Sequence, residues 1–249
     1  MLKPLIATLV IFQAAEPLGA QSLAQRIGAV ADGTVRLSFA AREGVCSWDG
    51  GRISINESSD EWRPDCGPRL VRVALRLENK RVQSIHPYVG GSWVPNPATV
   101  DLGLVSSPEA GRYFIDLAQS GSAGASDEDL LLPAVLADST TVWPSLVKIA
   151  RSPRLSEKLR GRAVFWLGQA ASEAAGLALD SIARDDHGDR EVRKHAIFAL
   201  SQRSTDEAVP ALIRIARTND DPELRRTALF WLGQSEDPRA VTLFEEILK

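Results

Sequence analysis

Apolar positions follow two different periods along this chain. Through residues 34–39 and 70–77 they alternate: Val35, Leu37 and Phe39 fall on one side, and Val71, Val73, Leu75 and Leu77 stand opposite Arg72 and Arg76. Residues 52–56 alternate again around Ile53 and Ile55. A period of two predicts half-buried strands. Glu78-Asn79-Lys80 predicts a hairpin turn into a further strand over 81–89, which Gly90-Gly91 ends. From residue 142 the period lengthens to that of an amphipathic helix. Leu159, Ala163, Trp166 and Leu167 share one side of a helical wheel, as do Val192, Ala196, Ala199 and Leu200, and then Leu224, Ala228, Trp231 and Leu232. Between the two regimes, residues 108–119 and 127–138 each predict a helix, joined by a Ser-, Gly- and Ala-rich link. Pro133 falls inside the second of these, so that helix is kinked or starts later.

The helical part repeats itself. Phe165-Trp166-Leu167-Gly168-Gln169 returns as Phe198-Ala199-Leu200-Ser201-Gln202 and as Phe230-Trp231-Leu232-Gly233-Gln234, at steps of 33 and 32 residues. Upstream, Ile149-Ala150-Arg151 returns as Ile182-Ala183-Arg184 and Ile215-Ala216-Arg217. Two helical patterns per unit at a fixed period predict a solenoid of helix pairs, with three full units and the start of a fourth. Ser156, Asp189 and Asp221 are placed to cap the second helices, with Pro222 at a first helical position. Thr205 or Asp206, and Asp237 before Pro238, are placed to open first helices. Arg160, Arg193 and Arg225 recur beside these caps. Such a ladder either binds an anion or ties each inter-helix turn to the next repeat.

The pattern Asp-x-x-(Val/Leu)-Arg-x-x-Ala, at residues 189–196 and 221–228, resembles HEAT repeats, in particular the bacterial type labelled phycobilin-lyase-like. The first unit departs from it, with Ser156 and one extra residue in its turn. The resemblance covers roughly 142–249 and implies a mainly α fold, a right-handed α-α superhelix that binds proteins or peptides. No residues that would carry bilin chemistry accompany the label.

The N-terminus reads as an export signal. One positive charge at Lys3 precedes an apolar run over 5–12, and a breaker and small residues follow at Pro17-Leu18-Gly19-Ala20. The run is too short to span a bilayer. Cleavage falls after Ala20 or Ala24, giving a periplasmic or secreted protein with no membrane insertion. The expected organisation is a signal peptide over 1–20, a small antiparallel β-rich domain over 21–104, a helical pair over 105–141 that caps the repeats, and HEAT-like repeats over 142–249. The two cysteines, Cys46 and Cys66, are in this setting most simply a disulfide, closing a loop of about 20 residues and contributing on the order of 3 kcal/mol.

Charge narrows the partners. The chain carries a net −3, and residues 142–249 hold 17 basic and 16 acidic groups. That near-neutral balance leaves no footprint for nucleic acid, which needs a surplus of Lys and Arg on one face. No hydrolase elbow, zinc helix, phosphate loop or dinucleotide fingerprint appears, so no enzyme activity, metal or cofactor is expected. Trp48, Trp62, Tyr88 and Trp93 lie near turns of the β part, as a binding platform or as closure of a small core.

One feature stands out from helix punctuation. Phe165, Phe198 and Phe230 lie about opposite the apolar side of the second helices, beside Gln169, Gln202 and Gln234 and beside Arg162, His195 and Thr227. A polar helix face carries three large aromatics where something covers them. Either a peptide or partner helix binds along this ladder, or adjacent repeats shield each ring. The expected function is an exported, non-catalytic scaffold for a protein or peptide partner. The alternative is an accessory or regulatory subunit of an exported enzyme, with specificity in the β-rich domain.

Overall fold

The computed structural model describes residues 21–47, 53–55, 70–121, 130–170 and 172–249. The expected signal peptide, Trp48, Trp62, Cys66 and residues 127–129 of the second predicted helix lie outside the described residues. Cys46 is buried on a short strand.

The alternating segments become a sheet. Strand β1 (Gly33–Ala40) pairs antiparallel with β4 (Leu70–Glu78), matching Val35 with Leu75, Leu37 with Val73 and Phe39 with Val71. This register puts both apolar rows on one face, where each of these side chains is fully buried. A two-residue turn at Asn79-Lys80, both with positive φ, leads into β5 (Arg81–Val89). The preceding segment holds that turn: the Asn79 N–H donates to Asp32 Oδ1 at 2.8 Å and the Lys80 N–H to the Ala31 carbonyl at 2.8 Å. A separate two-stranded ladder joins β2 (Val45–Ser47) to β3 (Ile53–Ile55).

The fully antiparallel unit expected from the sequence is corrected by β6 (Thr99–Leu104), which pairs parallel with β1 and gives the order β5-β4-β1-β6. The chain leaving β5 crosses to the far edge of β1 through residues 90–98. Arg36, on the polar face of β1, holds this crossover by donating to the Val94 carbonyl at 2.8 Å and lying 4.8 Å over the Trp93 ring. Trp93 in turn meets Tyr88 edge-on at 5.7 Å.

Helix α1 (Leu23–Gly28), with a Ser22–Gln25 capping box, and α2 (Ser107–Ser120) cover the apolar face of the sheet. Phe114 of α2 meets Phe39 at 6.5 Å. Helix α3 (Leu132–Leu136) starts late, with Pro133 in its first turn where a missing N–H costs nothing. Its end is bonded to the end of β1: Arg42 N–H donates to the Leu136 carbonyl and Asp138 N–H to that of Ala40.

The repeats follow as α4 (Trp143–Ala150) with α5 (Glu157–Gly168), α6 (Glu173–Ala183) with α7 (Arg190–Ser201), α8 (Thr205–Thr218) with α9 (Pro222–Gly233), and then α10 (Pro238–Ile247). First helices bury Leu146, Leu179 and Leu212, and Leu243 of α10 continues the row. Asp189, Asp221 and Asp237 accept backbone N–H groups as caps, and Ser156 does so for α5. Helix α8 is preceded by Ser204, with Thr205 already its first helical residue. Trp166 and Trp231, placed at the core by the helical wheel, are only half-buried, whereas Val164 and Ile197 are fully buried. The wheel centres on the partner helix, while neighbouring second helices also pack side by side and draw Val164 and Ile197 inward.

Candidate functional site

The second helices α5, α7 and α9 lie beside one another, with α4, α6 and α8 packed against them. Close approach of α5 and α7 depends on small residues: a Cβ added at Gly168 would stand 3.1 Å from the Ala199 Cβ. The aromatic ladder is on the open face of this layer. Phe165, Phe198 and Phe230 are 38, 39 and 58% exposed. Each ring rests against a tryptophan. Phe165 meets Trp166 at 5.0 Å, Phe230 meets Trp231 at 5.0 Å, and Phe198 meets Trp231 of the following repeat at 5.1 Å. Shielding by neighbours is thus partial, and the rest of each ring faces outward.

The remaining nominated residues divide into two groups. Gln169, Gln202 and Gln234 each take the C-cap of their helix, with exposed side chains. Arg162 lies over the Phe165 ring at 5.8 Å, and His195 rests against Gly161, where an added Cβ would stand 2.9 Å from Nδ1. Thr227 donates its hydroxyl to the Glu223 carbonyl of its own helix. Between α5 and α7 a cleft of about 270 Å³ opens, lined by Lys158, Gly161, Arg162, Phe165, His195 and Phe198. Four nominated residues meet there. Phe230 and the three glutamines lie outside its lining. Lys158 and Gly161 were missed. The available signal was Gly161 itself, which stands where the next two repeats carry Lys194 and Arg226.

At the same level between α7 and α9, charged side chains cross from one helix to the other. Lys194 bridges Glu191, at 3.0 Å, and Glu223, while Arg190 reaches Asp221 at 2.7 Å and Glu223 at 3.6 Å. The Lys194 ammonium beside it holds the Glu223 carboxyl below the ordinary carboxylate value.

On the turn side, the arginine ladder serves the backbone and the next repeat. Arg160 pairs with the cap Asp189 of the following unit at 3.1 Å. Arg193, almost fully buried, donates to the Ala183 carbonyl, to Asp186 and to Asn219 of the next unit. Arg225 donates to the Asn219 and Asp220 carbonyls. A clamp invisible in the repeat pattern is Arg203, which donates to the Ala170 and Ser172 carbonyls and pairs with Glu207, closing the turn between α5 and α6.

On the sheet, Tyr88 is exposed and Trp93 half-buried, both on the polar face away from the core. Among the described residues, no group of three or more His, Cys, Asp or Glu side chains is arranged to hold a metal ion. No described helix is long and apolar enough to cross a membrane.

No curated protein matches the chain. Residues 178–249, spanning most of α6 and all of α7 to α10, match the family model for HEAT repeats, which supports a HEAT-repeat protein.

Proposed function

We propose that the chain is a non-catalytic scaffold that binds a protein or peptide partner along its second helices. HEAT repeats are commonly protein-interaction scaffolds. The observation that carries the reading is the row Phe165, Phe198 and Phe230, each more than a third exposed on a face that otherwise carries Arg, His, Thr and Gln. Helix pairs stacked as a superhelix would present this row as one continuous surface, as the likeness to phycobilin-lyase-like repeats implies. That likeness brings no bilin chemistry with it.

The site of action is outside the cytoplasm. The Lys3 charge, the apolar run over 5–12 and the small residues before Ala20 support export, and in an oxidising compartment Cys46 and Cys66 form a bridge. A pulldown from native envelope extract tests the scaffold, comparing the chain with a variant bearing Phe165→Ala, Phe198→Ala and Phe230→Ala whose circular dichroism matches the parent. Loss of a specific partner is the expected outcome. An unchanged partner set would overturn the reading.

A second reading, an accessory subunit whose specificity sits in the β part, draws on the Arg36, Trp93 and Tyr88 cluster on the polar sheet face. In that case Tyr88→Ala, and not the phenylalanine variant, removes the partner.

A further inference from the structure

We infer that the cleft between α5 and α7 takes a peptide in which an apolar side chain sits beside a carboxylate. This rests on the reading of the phenylalanine face as a binding surface and names what that surface selects. The repeats are not equivalent at this position. A Cβ at Gly161 would press on His195, and in the next two units the same place holds Lys194 and Arg226. Lys194 lies across to Glu191 and Glu223, and Phe198 reaches over to Trp231. The opening of about 270 Å³ between α5 and α7 is lined on both helices by aromatic rings, Phe165 and Phe198.

Among the described residues, the lining holds Arg162, Lys158 and His195 and no carboxylate. The carboxylates of the neighbouring unit on this face are already engaged: Glu191 by Lys194, and Glu223 by Lys194 and Arg190. Arg162 has its guanidinium over the Phe165 ring and forms no ion pair within the described residues. A planar cation fixed against an aromatic wall offers its N–H fork to a carboxylate while the ring takes the adjoining apolar group. An uncharged flank would leave that fork without a charged acceptor, and a basic one would add repulsion.

The probe is a phage-displayed library of random linear peptides, panned on the chain, on Arg162→Glu, and on Phe165→Ala with Phe198→Ala, all verified as folded by circular dichroism. Expected are aromatic or aliphatic anchors with Asp or Glu one or two positions away. Labelled synthetic copies should weaken about fivefold when that acid becomes its amide, the worth of one partly exposed charge pair. They should also weaken with added salt. On Arg162→Glu the acidic bias should vanish. Apolar anchors without acidic bias, or a bias that survives Arg162→Glu, would overturn the inference. If the double phenylalanine variant then binds nothing, the scaffold reading survives. Peptides that bind the double variant unchanged would overturn both. A library that yields no binder overturns the inference alone, and the pulldown decides the scaffold.

Discussion

A guanidinium removed from water must find acceptors for its fork, because each buried N–H left unpaired costs free energy comparable to a lost hydrogen bond. Arg193 meets this requirement from three directions, through the Ala183 carbonyl at 3.1 Å, Asp186 at 3.1 Å and Asn219 at 3.2 Å. Asn219, itself buried, donates to the same Ala183 carbonyl and accepts the Asp221 N–H. One side chain therefore joins the α6 end, its turn and the following cap. Arg193→Met keeps an unbranched stem of similar reach to Nε and removes every donor, so it should lower stability by roughly 2 kcal/mol. Arg217→Met, whose exposed pair with Glu246 is screened by water, should fall within about 0.5 kcal/mol of the parent. Urea unfolding of the two variants checks this. Equal losses would mean that the buried network adds nothing beyond surface charge. The ladder of arginines was legible in sequence because it keeps phase with the caps. Asn219 was not, since its importance comes from burial that no repeat pattern states.

Helix starts show how elements inherit their boundaries from single carboxylates. Backbone donation from Glu223 and the Arg190 side chain hold the Asp221 carboxyl below its ordinary value of 3.8, and the Arg239 side chain and N–H do the same for Asp237. A carboxyl whose folded pKa is depressed contributes stability above the unfolded pKa and loses it as pH falls through the folded one. Thermal stability should therefore fall as pH is lowered from about 4 towards 2. Asp221→Asn with Asp237→Asn should flatten that fall, because asparagine caps without titrating. Melting temperatures followed across this range check the sign, and an unchanged slope would assign acid sensitivity to other groups. These capped helices were readable, as were β1, β4, β5 and α2, because local chemistry and apolar period agree in each. Strand β6 was not, since Val100 and Leu104 are exposed and its placement depends on a crossover held by Arg36 and Trp93 from elsewhere in the chain. Helix α1 is only six residues long, too short to show a period. The aromatic ladder was readable for the same reason as the caps, but the cleft was not. It is made by an absence, the missing side chain at Gly161, and by the packing of two helices 34 residues apart in its Gly161–His195 contact.

Across the whole molecule, burial is uneven along a single hydrophobic cluster that reaches from Leu23 and the sheet to Leu243. Helix α7 lies between α5 and α9 and buries Val192, Ala196, Ile197, Ala199 and Leu200. Helix α10 buries only Ala240 and Leu243 and leaves Val241, Ile247 and Leu248 largely exposed. In an array whose units contact only their neighbours, local stability follows the number of interfaces each element shares. Amide hydrogen exchange should accordingly be slowest in β1, β4, α5 and α7 and fastest in α10, with α9 between them. The α5–α7 cleft then sits in the slow-exchanging part of the chain, so a peptide bound there meets a groove already formed and is spared the cost of ordering it. Binding of an acidic-flanked peptide should slow exchange in the α5 and α7 amides further while leaving α10 as fast as before. Protection appearing mainly in α10 would place the peptide at the other end of the repeats. Uniform protection would mean instead that the array opens as one unit, and that the cleft owes its shape to the whole stack of helices and not to the two that line it.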